Sequence, residues 1–297
     1  MALENGADLV LELPTCYAAS SAEFFAKGSV ALLDKLGVTT NLCFGSECGK
    51  IDVLSRIAEI FYTEPAPYAE SLRCNLRKGM SFPIARTWAL LQYAPALSDD
   101  KDVLSSPNNI LGIEYLKALM SRDSKIVPFT TTRVGADYHD KRLGTNQCSA
   151  LAIRQSVAAG HDLSYLASQM PESAYELLSD SPALQYRLLT EYSAGYDRYQ
   201  DISSDLSDRI RNTLPSFAGY TSFCDLLKSK DMTYTRISRC LLHILLNMTK
   251  EEFEVCKTED YISYARILGF RKDAAPLLTE IKKNSSVPLI TSLADAR

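Results

Sequence analysis

The sequence predicts two parts: an open parallel α/β sheet over residues 1–145 and an all-α domain over residues 146–297. Two observations predict this division. In the first part, short apolar runs alternate with longer segments of helical periodicity, which is typical of a parallel sheet with crossover helices. In the second part, apolar residues recur at helical spacing and segments of period two are almost absent. The boundary is predicted in the polar, glycine-containing stretch 138–147.

The elements of the first part follow from local patterns. A short apolar run ended by Pro14 predicts a buried strand, and the helix after it stops at Gly37. The predicted strands are 9–13, 39–44 and 125–133. The predicted helices are 20–36, 51–61, 84–91 and 109–120, with irregular structure at Pro65, Pro67 and 75–83. The alternation places these strands in one parallel sheet.

Helices alone are predicted in the second part. Each predicted helix has an apolar stripe at helical spacing, and the first one ends at Gly160. The predicted helices are 149–159, 174–178, 183–191, 204–214, 220–228, 235–247, 250–256 and 274–283.

Composition and charge argue against several classes of protein. No apolar run approaches the roughly 18 residues that span a bilayer, and the first eight residues do not form a signal peptide. The eight cysteines contain no C-x-x-C pair and the three histidines have no metal-ligand spacing to them, which argues against a zinc site and a disulfide framework. These features predict a cytoplasmic protein with reduced thiols and no metal site of its own. The net charge of −4 argues against coating of nucleic acid by bulk charge but permits a local basic face.

Several candidate binding residues stand where parallel strands end. Gly45 follows the strand 39–44, and a glycine there lets backbone approach a ligand closely. Ser106 or Asn108 could cap the next helix and leave its amides for an anion, while Asn108 and Asn109 could bond a base or ribose edge. Arg133 ends the last strand on the same rim. Each feature alone is also explained by a plain turn, cap or surface residue, so the hypothesis depends on their convergence.

Two more candidates open the second part. Ser149 begins a predicted helix, and Arg154 on its second turn could reach the same anion as the first amides. An N-cap with an exposed arginine explains the pair equally. Motifs of other chemistries are missing from the sequence: it has no G-x-S-x-G, no G-x-x-x-x-G-K-[ST] and no G-x-G-x-x-G.

A basic stripe is predicted on the helix 235–247. Arg236, Arg239 and His243 repeat there at i, i+3 and i+7, and Arg266 and Arg271 follow in the next segment. A phosphate-contacting RNA face would use such a stripe. The solvated face of an ordinary amphipathic helix is the alternative.

Together these segments resemble the bacterial tRNA(Met) cytidine acetate ligase family. The matching stretches are 5–14, 21–28, 44–47, 107–112, 133–138, 149–154 and 235–246. The resemblance implies a Rossmann-like nucleotidyltransferase domain, incomplete here, followed by a helical tRNA-binding domain. It implies an enzyme that uses ATP to activate acetate as acetyl-adenylate and acetylates N4 of the wobble cytidine of elongator tRNA(Met), with Mg²⁺ carried by the nucleotide.

The resemblance also implies roles for individual residues. The positions that match ATP contacts of the family are Gly45, the pair Asn108 and Asn109, of which Asn109 is the favoured contact, and Arg133. Ser149 and Arg154 resemble a degenerate phosphate motif of the wider superfamily. The arginines of the basic stripe and the next segment, Arg236, Arg239, Arg266 and Arg271, are expected to contact tRNA.

One departure from the family pattern matters for activity. The family opens with an H-x-G-H loop, and none of His139, His161 or His243 lies in that context. We expect this chain to lack the segment that carries those histidines and to have little adenylating activity, so no catalytic residue is assigned. The alternatives are a non-catalytic tRNA-binding fragment and a small-molecule nucleotidyltransferase, which salt-dependent tRNA binding would separate.

Overall fold

A parallel pair of strands is the centre of the first part. The computed structural model describes residues 2–133, 152, 153, 156, 181–229 and 231–292. Strands β2 (Asn41–Ser46) and β3 (Val127–Thr132) pair in parallel, with Asn41 opposite Val127 and Ser46 opposite Thr132. The predicted strands 39–44 and 125–133 are therefore confirmed as neighbours.

Helices cover one face of this pair. The helices α2 (Ala22–Lys35), α3 (Ile51–Thr63) and α6 (Pro107–Ser121) share a core with it, in which Leu54, Ile113 and Leu116 are buried. Phe44 of β2 packs against that core. On the other face of the pair, Val127 and Phe129 are 50% and 51% exposed.

A helical hairpin stands between α3 and α6. It consists of α4 (Ala66–Arg77) and α5 (Phe82–Tyr93), followed by 3-10 turns over Pro95–Ser105. The expectation of irregular structure is confirmed for Pro65, which precedes α4, but was wrong for Pro67 and for part of 75–83, since residues 75–77 end α4 and residues 82 and 83 begin α5. Pro67 lies in the first turn of α4, where a helix needs no backbone N–H donor, so proline starts the helix there instead of breaking it.

The first predicted strand lies in a different sheet from the one expected. Strand β1 (Leu9–Leu11) pairs antiparallel with β4 (Ala265–Phe270), and β4 pairs in parallel with β5 (Leu289–Ile290). The expectation that β1 joins the parallel pair was wrong, and the second part is not entirely helical. Local periodicity cannot reveal a ladder whose two strands lie at opposite ends of the chain.

The other regular elements described in the second part are helices, as predicted. The helices α7 (Ser181–Thr190), α8 (Ser204–Thr213), α9 (Tyr220–Leu227) and α10 (Tyr234–Leu245) pack around a buried core that includes Leu184, Ile210, Phe223 and Ile237. The helices α11 (Lys250–Thr258) and α12 (Ala275–Asn284) contribute Cys256 and Ile281 to a separate core. Short α1 (Thr15–Ala18) lies near the start of the chain.

A third core joins the two ends of the chain. Tyr17 and Leu36 are buried there together with Ile262, Ala265 and Ile281. At its edge, the Arg122 Nε lies 2.9 Å from the Asp34 carboxylate, and the Lys35 Nζ lies 3.1 Å from that of Asp260. The predicted boundary at 138–147 and the predicted helix 174–178 lie outside the described residues. Within the described ranges, no helix is both long and apolar enough to cross a bilayer.

Candidate nucleotide-binding site

Gly45 and Arg133 lie side by side where the parallel pair ends. Gly45 is opposite Thr131 in the register, and the Arg133 amide donates to the Ser46 carbonyl at 2.9 Å, which extends the ladder by one residue. A Cβ on Gly45 would lie 3.3 Å from Cγ of Arg133. The structure thus brings together two residues that sequence reasoning placed on one rim, because parallel strands end at the same edge.

The carboxylate of Glu47 ties this edge to the start of α6. Its Oε1 accepts hydrogen bonds from the Asn108 amide at 3.2 Å and the Asn108 Nδ2 at 2.7 Å, and its Oε2 accepts from the Asn109 amide at 2.8 Å. The helix amides that we expected to be open to an anion are therefore bonded to Glu47. Ser106, the N-cap residue, makes no side-chain capping bond.

Sequence reasoning gave Glu47 no role of its own. The signal that could have found it is an acidic residue directly after a strand, on the rim where a helix begins. Burial alone would raise the pKa of Glu47, but the hydrogen bonds from Asn108 and Asn109 outweigh it and bring the pKa below its ordinary value. The carboxylate is consequently held in its charged form, in which it caps the helix.

Asn109 is buried and both ends of its amide are bonded. The side chain is 2% exposed, its Oδ1 accepts from the Cys48 amide at 3.1 Å, and its Nδ2 donates to the Val103 carbonyl at 3.2 Å. Asn109 therefore fixes the loop after β2 against the 3-10 turns, whereas the Asn108 side chain bonds Glu47 and is only partly buried. The two asparagines have different structural roles.

A cavity of about 240 Å³ opens beside these residues. It is lined by Glu47, Cys48, Asp100, Asp102, Val103, Ser106 and Asn109. Asp100 is paired with Lys50, whose Nζ lies 2.8 Å away. Carboxylates of this kind can accept hydrogen bonds from ribose hydroxyls or an exocyclic amine, and the guanidinium of Arg133 suits a phosphate. No group of three or more His, Cys, Asp or Glu side chains within the described ranges is arranged to hold a metal ion.

Two predicted phosphate contacts lie outside the described residues, namely Ser149 and Arg154. The one histidine in the described part, His243, is fully buried. Its Nδ1 lies 2.9 Å from the Gln200 carbonyl and its Nε2 lies 3.0 Å from the Ala19 carbonyl. The interpretation of His243 as part of a basic outer stripe was therefore wrong, because the residue faces the core and bridges the two parts of the chain.

The four arginines predicted to contact tRNA differ in their surroundings. Arg236 is exposed on α10, whereas Arg239 on the same helix has its Nε 3.0 Å from the Asp201 carboxylate. The Arg266 Nη1 lies 2.6 Å from the carboxylate of Glu12. Arg271 lies directly after β4, with one Nη 2.6 Å from the Asp273 carboxylate and the other 3.5 Å from that of Asp8. The structure does not gather these arginines on one helix, and three of them are ion-paired.

A protein family and several known proteins are similar to this chain. The family model described as HIGH Nucleotidyl Transferase matches residues 1–297. A protein of Clostridium perfringens named tRNA(Met) cytidine acetate ligase is 39% identical over 316 residues, which cover 100% of this chain and 77% of that protein. The chain belongs to the tRNA(Met) cytidine acetate ligase family.

Solved structures agree with this family assignment. The apo crystal structure of Thermotoga maritima TmcAL is 31% identical and superposes with a TM-score of 0.90 over 99% of this chain and 73% of that one. The structure of the same protein bound with alpha-thio ATP superposes with a TM-score of 0.84 at 30% identity, over 99% of this chain and 72% of that one. The nucleotidyltransferase-like fold predicted from the sequence is confirmed.

Proposed function

We propose that this member of the family is an ATP-dependent ligase that acetylates N4 of the wobble cytidine of elongator tRNA(Met). The observation that carries the proposal is the rim where Gly45, Glu47, Asn108 and Arg133 meet at the carboxyl ends of the parallel pair. Ligands of open α/β sheets bind at such an edge. The likeness to the TmcAL structure that contains alpha-thio ATP supports ATP as the ligand.

ATP binding is assigned to the residues of this rim. Arg133 would bind phosphate, and exposed Gly45 would let the nucleotide approach the backbone. Asn109 lines the cavity, and Asn108 supports it through its hydrogen bonds to Glu47. Ser149 and Arg154 remain proposed phosphate contacts on the sequence alone. Mg²⁺ would arrive with the phosphates of the nucleotide.

The proposed reaction has two steps. An oxygen of acetate attacks the α-phosphorus of ATP, and pyrophosphate leaves with the electrons of the broken P–O bond. The N4 amine of cytidine then attacks the carbonyl carbon of acetyl-adenylate, loses a proton and expels AMP. Such a reaction needs mainly positioning and charge stabilisation from the protein. Because the sequence has no H-x-G-H motif, we propose that this chain alone binds ATP more readily than it adenylates acetate.

The tRNA is assigned to residues 146–297. Exposed Arg236 is the best placed of the predicted contacts, since Arg239, Arg266 and Arg271 would have to share their guanidinium groups between a phosphate and a carboxylate. Binding through few phosphate contacts agrees with the acidic net charge of −4.

Two measurements test the function. In the first, the affinity for elongator tRNA(Met) is compared with that for the same tRNA carrying uridine at the wobble position. We expect tighter binding of the cytidine form, and equal affinity would contradict the substrate assignment. In the second, acetate-dependent ATP–pyrophosphate exchange is followed. We expect weak exchange, and robust exchange would overturn the proposal that this chain adenylates slowly.

A further inference from the structure

A groove lined by the single tryptophan of the chain adjoins the candidate nucleotide cavity. Trp88 lies on α5 and is 59% exposed, and Ile84 one turn earlier is 52% exposed. The groove has a volume of about 350 Å³. Its lining residues are Pro83, Ile84, Thr87, Trp88, Asp102, Leu104 and Ser105. A large aromatic side chain at such an exposed position offers a flat apolar surface to a ligand.

The segment 102–106 separates the groove from the nucleotide cavity. Val103 and Ser106 line the cavity, Leu104 and Ser105 line the groove, and Asp102 lines both. A group bound in the groove would therefore lie directly beside a nucleotide bound in the cavity. A second substrate that receives a group from an activated nucleotide must lie next to that nucleotide.

The polar groups of the groove fit one kind of base. The carboxylate of Asp102 can only accept hydrogen bonds when charged, and the exocyclic N4 amine of cytosine is the usual donor to such a side chain. Uracil presents a carbonyl oxygen at the same position, which the carboxylate would repel. The Thr87 hydroxyl donates to the Pro83 carbonyl at 2.9 Å, so its oxygen is left as an acceptor.

Positive charge lies at the end of the hairpin next to this groove. Arg77 ends α4, Lys78 follows it, and both side chains are exposed in the turn that leads to Phe82 and Ile84. Phe82 is itself 54% exposed. Aromatic surfaces beside basic side chains are typical of sites that bind unpaired RNA, where the bases stack and the cations face the phosphates.

We propose that this groove binds an unpaired cytosine of the RNA substrate, stacked on Trp88 with its N4 amine on Asp102. The proposal rests on the proposed function and deepens it by assigning the subsite of the acceptor base. Trp88 and Asp102 are then residues that determine base specificity.

The fluorescence of Trp88 tests the proposal, because every signal from tryptophan comes from this groove. Short single-stranded oligocytidine and oligouridine are titrated separately into the chain. We expect saturable quenching by oligocytidine and a weaker response to oligouridine. Saturating oligocytidine without a change in fluorescence would overturn the assignment.

Variants separate stacking from amine recognition. In filter binding, Trp88→Ala should weaken oligocytidine binding about tenfold and Trp88→Phe should retain most of it, since base stacking on an aromatic ring is the lost interaction. Asp102→Asn should reduce the preference for cytidine over uridine. Tyr62→Ala, which removes a 48% exposed ring on α3, is the matched control and should change nothing. Equal binding by Trp88→Ala and the unchanged chain would also overturn the proposal.

ATP and tRNA affinities measured in parallel distinguish failure of the groove from failure of the function. If ATP and elongator tRNA(Met) bind tightly and Trp88→Ala has no effect on either RNA, the groove assignment alone is wrong. If oligocytidine quenches Trp88 but ATP is not bound, the groove binds RNA and the ligase proposal is wrong.

Discussion

Glu47 and Asn109 hold each other in place across the edge of the parallel pair. The Glu47 Oε2 accepts the backbone amide of Asn109 at 2.8 Å, and the Asn109 Oδ1 accepts the amide of Cys48, the next residue after Glu47, at 3.1 Å. The loop after β2 and the start of α6 are therefore joined by two hydrogen bonds. The geometry of the candidate ATP rim depends on this reciprocal contact.

Removal of the Glu47 carboxylate should destabilise the chain. Glu47→Ala leaves the first amides of α6 without their protein acceptor, and we expect the free energy of unfolding to fall by about 0.5–2 kcal/mol, as for loss of a helix cap. Denaturant unfolding followed by circular dichroism measures the change. Glu59→Ala, at an exposed position on α3, is the control and should stay within about 0.5 kcal/mol of the unchanged chain. Equal loss in both variants would contradict the capping role.

The contribution of Glu47 should also depend on pH. Its pKa is lowered in the folded state, so the charged carboxylate stabilises the fold fully above the ordinary value of 4.5 and the stabilisation is lost as pH falls through the lowered value. The difference in unfolding free energy between the unchanged chain and Glu47→Gln should be constant near neutral pH and shrink in this acidic range. A difference that grew on acidification would have the wrong sign.

Two glycines should respond differently to the same substitution. A Cβ on Gly45 lies 3.3 Å from the flexible Arg133 side chain, whereas one on Gly112 lies 2.5 Å from the packed ring of Phe44. We expect Gly45→Val to lower ATP affinity with little change in stability, because Arg133 is displaced. Gly112→Val should lower the unfolding free energy by about 2–3 kcal/mol through overpacking. Thermal unfolding and ATP titration of both variants check this, and a severe stability loss in Gly45→Val would argue against a binding role.

Charge reversal of Arg236 should weaken tRNA binding without affecting the fold. The side chain is exposed, so Arg236→Glu should leave stability within about 0.5 kcal/mol. If Arg236 contacts a phosphate, the slope of log affinity against log salt should fall by about one. Arg56→Glu reverses an exposed charge on α3 and serves as the control. An unchanged slope in Arg236→Glu, or the same loss in Arg56→Glu, would remove Arg236 from the RNA face.

The elements that could be predicted from the sequence are those whose pattern is contained in one short stretch of the chain. The strands β2 and β3 and the helices between them have clear local periodicity, and the rule that ligands bind at carboxyl ends of parallel strands brought Gly45 and Arg133 together. The hairpin helix α4 was missed because proline was interpreted as a breaker and not as a residue of the first helical turn.

Contacts between distant residues could not be predicted in the same way. Strand β1 finds its partner β4 at the other end of the chain, and the carboxylates that pair with Arg266 and Arg239 belong to Glu12 and Asp201, which lie in loops distant from them in sequence. Glu47 likewise acts on a helix that begins 60 residues later, at Pro107. Such contacts follow from packing of the whole chain, which a local pattern does not contain.

ATP binding by the rim is the central claim, and calorimetric titration of ATP into the chain and into Arg133→Ala tests it most directly. We predict saturable binding of one ATP per chain, an affinity at least about tenfold lower in Arg133→Ala, as expected for loss of a charge-assisted phosphate contact, and no change in Arg56→Ala. Equal affinity of Arg133→Ala and the unchanged chain, or no saturable binding by the unchanged chain, would contradict the claim.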